Sequence, residues 1–237
     1  MKMQIQLFRR LPLTCKLLGT LFYIYLLGIF EKNLMIDSSD KSIDFLWHSF
    51  LNGDDKSFAL IYQRHIDKLL SYGYKLSTDK ELVHDCLQDV FMDLFLRRKK
   101  VGVNIENLKA YLFVALRNCL IKKITKNRKS ENIEITEGQA ELFSNVEYCC
   151  QEQLIELEIS NEIKNKLSTA VNSLPPKQKE VIYLKFEEEL EYLEISEILK
   201  ISVESARKLL YRALISLRKV VEPATFQILF LFLFKNK

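Results

Sequence analysis

Residues 192–217 have the sequence YLEISEILKISVESARKLLYRALISL, and their apolar pattern predicts two helices with a short turn between them. Ile195, Ile198 and Leu199 recur at the spacing of one helical face and mark a short first helix. Ile201 and Ser202 can make the turn, with the Ser202 hydroxyl capping the next helix. The apolar positions of that longer helix are Ala206, Leu209, Leu210, Ala213, Leu214 and Leu217. Two helices joined in this way form a helix-turn-helix.

The second helix carries a polar, largely basic side away from its apolar stripe. The residues on this side are Glu204, Ser205, Arg207, Lys208, Tyr211 and Arg212. In a DNA-binding helix-turn-helix, the second helix enters the major groove with its N-terminal residues at the base edges. Arg and Lys pair with guanine edges or phosphates, and Ser contacts either. An ordinary helical hairpin with a basic surface is the alternative at this point.

Residues 40–124 predict a separate group of helices. Asp79 can cap one of them, whose apolar stripe is Val83, Leu87, Val90, Phe91, Leu94 and Phe95. Its opposite side holds the acidic, hydrogen-bonding set Asp85, Gln88, Asp89 and Asp93. The next helix starts near Asn107, with Leu108, Leu112, Ala115, Leu116, Cys119 and Leu120 inward, while Lys109, Arg117, Lys122 and Lys123 project elsewhere.

Charge is distributed in blocks along the 237 residues, although the net charge is only +4. Residues 97–129 contain eleven basic residues and a single acidic one, Glu106. Residues 131–163 contain nine Glu and no Lys or Arg. A basic block attracts phosphates by counterion release, whereas an acidic block does not bind DNA and is better suited to a linker. Solvated helix faces are the alternative explanation for each block.

Composition excludes several other classes. With 6 Gly and 4 Pro, the chain lacks the turns of a β-sandwich, and no Gly-rich nucleotide-binding loop occurs. The five Cys form no CxxC pair, which argues against a zinc ribbon and indicates reduced thiols in a cytoplasm. His65, His84, Asp85 and Asp89 loosely suggest a helical metal phosphohydrolase, but His84 and Asp85 are adjacent on one helix and lack convincing partners. We therefore predict no catalytic residues, metal or cofactor.

Both ends of the chain are apolar. Basic residues precede an apolar run from Leu17 to Phe30, which is short for a membrane span. Because residues 35–40 resemble an ordinary soluble N-terminus, we expect translation to start at Met35, with a membrane anchor or a buried helix as alternatives. The Phe-rich residues 226–234 fit either a packed terminal element or a patch for a partner or membrane surface.

Two stretches, in this order, resemble the extracytoplasmic-function (ECF) group of the bacterial sigma-70 family. The first is Asp85-Cys86-Leu87-Gln88-Asp89-Val90-Phe91 with Ala110-Tyr111-Leu112-Phe113 and Leu116-Arg117-Asn118, which is similar to the family's region 2. The second runs from Leu174-Pro175-Pro176-Lys177-Gln178 through the helix-turn-helix to Leu217-Arg218 and is similar to region 4. Either motif could mislead on its own, whereas both in this order are specific.

The resemblance implies a transcription initiation factor that binds core RNA polymerase and promoter DNA. The implied polymerase-binding residues are Asp85, Gln88, Asp89 and Phe91. The residues implied to melt and hold the −10 element are Arg97, Arg98, Lys99, Lys100, Lys109, Arg117, Asn118, Lys122 and Lys123. Those implied to bind the −35 element are Ser202, Ser205, Arg207, Lys208 and Arg212. An anti-sigma factor is expected as a further partner, and a cytoplasmic location follows.

The predicted fold is all-α, with two small helical domains joined by an acidic linker. The predicted boundaries are an apolar segment 1–34, a region 2-like domain 40–124, a linker 125–162, a helix-turn-helix domain 163–220 and an apolar tail 221–237. Lys200 replaces the Gly that is usual in the turn, and residues 187–191 also lack a usual Gly. The main alternative function is a stand-alone, membrane-tethered helix-turn-helix regulator, which would leave the Asp85–Phe91 motif unexplained.

Overall fold

The computed structural model describes residues 42–96, 98, 107–130 and 161–220, and within these ranges it contains helices and no strand. The predicted all-α fold class is confirmed, and both apolar ends and residues 131–160 lie outside the described residues. The helices are α1 (Ile43–Leu51), α2 (Asp55–Leu76), α3 (Lys80–Leu96), α4 (Leu108–Ser130), α5 (Asn161–Asn172), α6 (Pro176–Ile182), a π-helical turn (Tyr183–Glu187), α7 (Tyr192–Leu199) and α8 (Val203–Val220).

The chain divides into two compact units whose limits differ from the predicted domains. The first unit contains the described residues up to Ser71 together with 79–119, and the second contains 72–78 and the described residues from Leu120 onward. Helix α4 continues to Ser130, six residues beyond the predicted end of the first domain at 124. The limits differ because long helices contribute to both units, a feature that apolar periodicity does not reveal.

Side-chain caps start the helices of the first unit. Ser42 accepts a hydrogen bond from the backbone N–H of Phe45 at 3.2 Å, as a helix N-cap does. Asp79 caps α3, as predicted, because its carboxylate accepts from the backbone N–H of Leu82 at 3.0 Å. Asn107 accepts from the N–H of Ala110 at 3.1 Å, which fixes the start of α4. These bonds satisfy donors that the helix itself leaves unpaired.

Aromatic side chains fill the core of the first unit. The Phe58 ring lies 4.9 Å from Phe50 and 5.1 Å from Phe95, measured between ring centroids. Phe91, on the predicted apolar stripe of α3, is fully buried and lies 6.3 Å from Phe58 in an edge-to-face arrangement. Such pairs contribute beyond the burial of their area. The core therefore fixes which face of α3 is left for solvent.

A buried polar network lies in the core of the second unit. The Tyr72 hydroxyl donates to Glu180 at 2.8 Å, and the Tyr183 hydroxyl donates to Glu188 at 2.7 Å. The two tyrosine rings stack with centroids 5.7 Å apart. Both carboxylates are buried, and buried polar groups need such partners because losing their hydration is costly. The network ties the end of α2 to α6 and to the segment that leads into α7.

The turn between α7 and α8 adopts a left-handed backbone at Lys200, with φ of 54°. The backbone N–H of Lys200 donates to Glu197 at 3.3 Å, and that of Ile201 donates to Ser196 at 3.0 Å. These two bonds form the motif in which glycine is the usual residue at the left-handed position. Glu189, in the acidic segment that also lacks its usual Gly, has φ of 54° as well.

The cap predicted at Ser202 is present. The Ser202 hydroxyl oxygen accepts from the backbone N–H of Ser205 at 3.1 Å. Helix α8 then packs against α6 and α7 through the buried side chains of Ala206, Leu210, Ala213 and Leu217. The helix-turn-helix is therefore confirmed.

Replacing Lys200 with glycine should raise the free energy of unfolding by about 1 kcal/mol, because glycine lacks the Cβ that makes a left-handed backbone unfavourable. Lys200 is exposed, so little packing is lost. Urea unfolding followed by circular dichroism measures the change. Lys200→Ala is the matched control, since it removes the charge but keeps the Cβ, and it should change stability by less than about 0.5 kcal/mol. A glycine variant less stable than the alanine variant would contradict the role of backbone strain.

Candidate functional site

Helix α8 presents an exposed row of polar side chains. Ser205, Arg207, Lys208 and Arg212 are all exposed, and every one of them was predicted from the sequence. Tyr211, which is 66% exposed, lies on the same side. Because the opposite stripe is buried, Ser205, Arg207, Lys208 and Arg212 all lie on the solvent-facing side of one helix.

The exposed cations of α8 differ in their surroundings. The Arg207 guanidinium carbon lies 5.4 Å from the ring centroid of Tyr192 on α7. The Lys208 ammonium forms an ion pair with Glu204 at 2.6 Å, and both side chains are more than 60% exposed. An exposed ion pair of this kind contributes little to stability, and its lysine can readily exchange the carboxylate for another anion. Lys208 is therefore available to an incoming phosphate, whereas Arg207 lies against a fixed surface.

Ser202 differs from the other predicted −35 residues because its hydroxyl has a structural task. It accepts from the Ser205 N–H, and its own hydrogen is donated to the Ser205 side-chain oxygen at 2.8 Å. A hydrogen bond donated by Ser202 to DNA would have to replace that second bond, because the hydroxyl has a single hydrogen to donate. Its position at the start of α8 nevertheless places it on the edge of the same surface.

The predicted polymerase-binding residues lie on α3. Asp89 is exposed, Asp85 and Gln88 are half-buried, and Phe91 is fully buried on the other side of the helix. Phe91 therefore supports the acidic face through packing and does not itself reach a partner. Burial lowers the pKa of the neighbouring His84, while the charge of Asp85 acts in the opposite direction. An acidic face held on a rigid helix is suited to a basic partner surface.

The predicted −10 residues other than Arg117 fall into two described groups and one that lies outside the described residues. Lys109, Asn118, Lys122 and Lys123 lie on α4 and are exposed or half-buried. The Arg98 guanidinium donates to Asp55 at 2.7 Å and lies 5.4 Å from the Phe95 ring centroid, so it anchors the segment after α3 to the start of α2. Arg97, Lys99 and Lys100 fall outside the residues whose placement is described.

Arg117 requires a correction, because its side chain is only 1% exposed. It was expected to project from α4 toward DNA. Phe113, Leu116 and Leu120 are also buried, and Arg117 shares their helical stripe. Apolar periodicity assigns every charged residue to the solvent-facing side of a helix, so it does not predict that an arginine is buried. We therefore leave Arg117 out of the proposed DNA surface.

His65 is a buried side chain of the first unit. Burial lowers its pKa to about 4, and the positive charges of Lys109, Lys68 and Arg64 act in the same direction. Lys68 and Arg64 lie on α2 and add positive charge near Lys109 of α4. The sequence did not predict this grouping, because the two α2 residues lie far from Lys109 in the chain. The local spacing on α2, at i and i+4, is the signal that could have found them.

Membrane-spanning helices and metal sites are both absent from the residues that the structure describes. Within them, no helix is both long and apolar enough to cross a membrane. No group of three or more His, Cys, Asp or Glu in those same ranges is placed to hold a metal ion.

Comparison with known proteins matches both modules to established family models. The Sigma-70 region 2 model matches residues 61–130, and the Sigma-70, region 4 model matches residues 164–217. The ECF RNA polymerase sigma factor SigM of Bacillus subtilis is 28% identical over 153 residues, covering 65% of this chain and 88% of that protein. The ECF RNA polymerase sigma factor SigW of the same organism is 27% identical over 174 residues, covering 70% of this chain and 90% of that protein.

Among solved structures, the chain is similar to a sigma factor RpoE crystallised with the anti-sigma factor NepR from Bartonella quintana. The TM-score is 0.49 at 20% sequence identity, and the match covers 70% of this chain and 96% of that one.

Protonation of His65 should destabilise the protein as the pH falls. The folded pKa of about 4 lies below the ordinary value of 6.5, so the unfolded chain binds the proton first. The stabilising effect of the neutral ring is complete above pH 6.5 and is lost as the pH falls toward 4, by up to about 3 kcal/mol. Urea unfolding across this pH range measures the slope.

His65→Gln should flatten that pH dependence, because glutamine does not titrate. His48→Gln is the matched control, since His48 is exposed on α1 and its replacement should leave the slope unchanged. An unaltered slope in the His65→Gln protein would show that other groups cause the loss of stability.

Proposed function

The chain belongs to the ECF group of the sigma-70 family, and on this premise we propose that it binds core RNA polymerase and directs promoter-specific initiation of transcription. The observation that carries the proposal is that region 2 and region 4 both match, in the family's order. A stand-alone helix-turn-helix regulator would account for region 4 and leave the region 2 match at 61–130 without a purpose. That alternative is not favoured.

In this proposal the two basic surfaces recognise different forms of promoter DNA. Helix α8 enters the major groove of the duplex −35 element, where Arg207 is the candidate for base edges and Lys208 and Arg212 for phosphates or bases. Helix α4, with Lys109, Asn118, Lys122 and Lys123, holds the −10 element. Opened DNA requires a basic groove that follows the backbone and surfaces on which unstacked bases rest.

The acidic face of α3 supplies the contact with polymerase. Asp85, Gln88 and Asp89 lie within one helical turn and a half, so a single helix can present all three to a basic surface of the polymerase. Separate surfaces for protein and DNA allow the factor to hold both partners at once. In this proposal the factor binds and positions the polymerase and the promoter DNA.

The remaining expectations are part of the same proposal. A cytoplasmic location follows from the location of bacterial polymerase and chromosomal DNA. An anti-sigma factor is proposed as a regulator from family membership. Membrane contact through the apolar ends stays a prediction, because those residues lie outside the described part of the chain.

Run-off transcription with core polymerase from the source bacterium and its fragmented genomic DNA tests the function. We expect specific transcripts from the parent protein and at least a tenfold loss in the Arg207→Ala/Lys208→Ala variant, because removing base contacts costs about 1–3 kcal/mol for each good pair. Arg218→Ala is the matched control, since Arg218 is an exposed cation at the far end of the same helix. Sequence-selective DNA binding without any core-dependent transcript would support the stand-alone regulator.

Core binding is tested separately by neutralising one carboxylate. Asp89→Asn should weaken binding of the protein to core polymerase several-fold and make the remaining affinity less sensitive to salt, because a charge contact is lost. Glu81→Gln removes an exposed carboxylate from the first turn of the same helix and serves as the control. Titration of labelled protein with core polymerase at two salt concentrations gives both quantities. Equal effects of the two substitutions would contradict a specific role for the Asp89 face.

A further inference from the structure

We propose that Tyr192 is a positioning residue for Arg207, and that the specificity of α8 for its DNA depends on this contact. The inference rests on the proposed function of α8 and adds a residue to it. Tyr192 lies at the first position of α7, whereas Arg207 lies in the second turn of α8. The 5.4 Å distance from the guanidinium carbon to the ring centroid is within the range of a cation–π contact.

The Tyr192 ring is itself held in place by neighbouring residues. The Lys185 ammonium lies 5.0 Å from the same ring centroid. Lys185 is fixed by a hydrogen bond to the backbone oxygen of Leu190 at 3.0 Å and by an ion pair with Glu191 at 3.3 Å. The Glu191 carboxylate offsets the positive charge of Lys185, which reduces the repulsion between Lys185 and Arg207 at the same ring. The result is a layer of Lys185, Tyr192 and Arg207 in which the lysine is mostly buried and the arginine is exposed.

The start of α7 adds further rigidity beneath the ring. The Glu194 carboxylate accepts from the backbone N–H of Glu191 at 2.6 Å and forms one half of a capping box with the Glu191 side chain. This bond fixes the backbone directly before Tyr192. A fixed backbone limits the positions open to the Tyr192 ring, against which the Arg207 guanidinium rests.

Orientation of Arg207 matters because an arginine has many rotamers. A free arginine loses up to about 2 kcal/mol of rotamer freedom when it is fixed in a complex. A guanidinium already lying on an aromatic ring has lost part of that freedom before binding, and its planar edge is left to form paired hydrogen bonds with a base. Lys208 has no such support, because its partner Glu204 is an exposed side chain on the same helix.

The consequence is a difference in the kind of contact each cation makes. Arg207, held by Tyr192, favours recognition of a particular base, for which direction is decisive. Lys208 and Arg212, without a ring contact in the described part of the structure, favour phosphates, for which charge is sufficient. Loss of the Tyr192 ring should therefore reduce discrimination among bases more than it reduces overall affinity.

The test uses Tyr192→Leu, which removes the ring but keeps an apolar side chain, and Tyr192→Phe, which keeps the ring. In the free full-length protein, the NMR signal of the Arg207 side-chain N–H, assigned by its absence in Arg207→Lys, reports the ring through its chemical shift. We expect that signal to move in Tyr192→Leu and to change little in Tyr192→Phe. An unchanged signal in Tyr192→Leu would overturn the proposed contact without any reference to DNA.

The DNA measurement uses holoenzyme assembled from each variant and a promoter found in the run-off experiment, with its −35 segment randomised. Selected sequences give the base preference at each position. We expect Tyr192→Leu to reduce preference about threefold to fivefold at the same base positions as Arg207→Ala, as the strength of a cation–π contact implies. Tyr192→Phe should retain the parental preference, and Tyr192→Leu/Arg207→Ala should equal Arg207→Ala.

Each other outcome has a definite meaning. Parental preference in Tyr192→Leu, or an equal loss at every position, overturns the inference, because the ring would then be irrelevant to Arg207 or only a part of the general fold. Parental preference in Arg207→Ala shows that the −35 role proposed for Arg207 is wrong, and the inference about specificity fails with it. Thermal unfolding of each variant ensures that the folded protein is compared.

Discussion

The left-handed turn at Lys200 is the constraint on which the proposed DNA-reading surface depends. It ends α7 with two backbone hydrogen bonds, and Ser202 starts α8 two residues later. With so few residues between the helices, their relative direction has little freedom. That direction buries Ala206 and Leu210 and leaves Arg207 and Lys208 in water. A strained lysine is tolerated because the packing of both helices outweighs a cost of about 1 kcal/mol.

Charge is separated on rigid helices rather than spread over the surface. The acidic face of α3 and the basic row of α8 each lie opposite an apolar stripe, so the packing that stabilises a helix also determines where its charges point. A factor that must bind a protein and a polyanion together benefits from this separation, because each surface repels the wrong partner. The two surfaces would be less selective on a mobile segment, because charges on such a segment can turn toward either partner.

Polar groups inside the cores show what hydrophobic patterning leaves out. The rings of Tyr72 and Tyr183 stack on each other, and their hydroxyls donate to Glu180 and Glu188 respectively. Apolar periodicity alone does not predict these contacts. Arg117 occupies a core stripe of α4. Tyr72 and Glu180 are 108 positions apart in the chain, so the buried Glu180 carboxylate obtains this partner only through the fold. Such neighbours are set by the tertiary fold, and the burial of Arg117 likewise overturns the expectation that its side chain projects outward.

The sequence was enough to predict the helices, the caps at Asp79 and Ser202, the helix-turn-helix and the polar side of α8, because each follows from spacing within one segment. It also indicated the family, since both motifs are local. The packing of the folded chain was needed to show that Arg98 pairs with Asp55, that Arg117 is buried, and that Arg207 lies against Tyr192. These contacts join residues of different helices, and their distances depend on how the helices pack rather than on the order of residues along the chain.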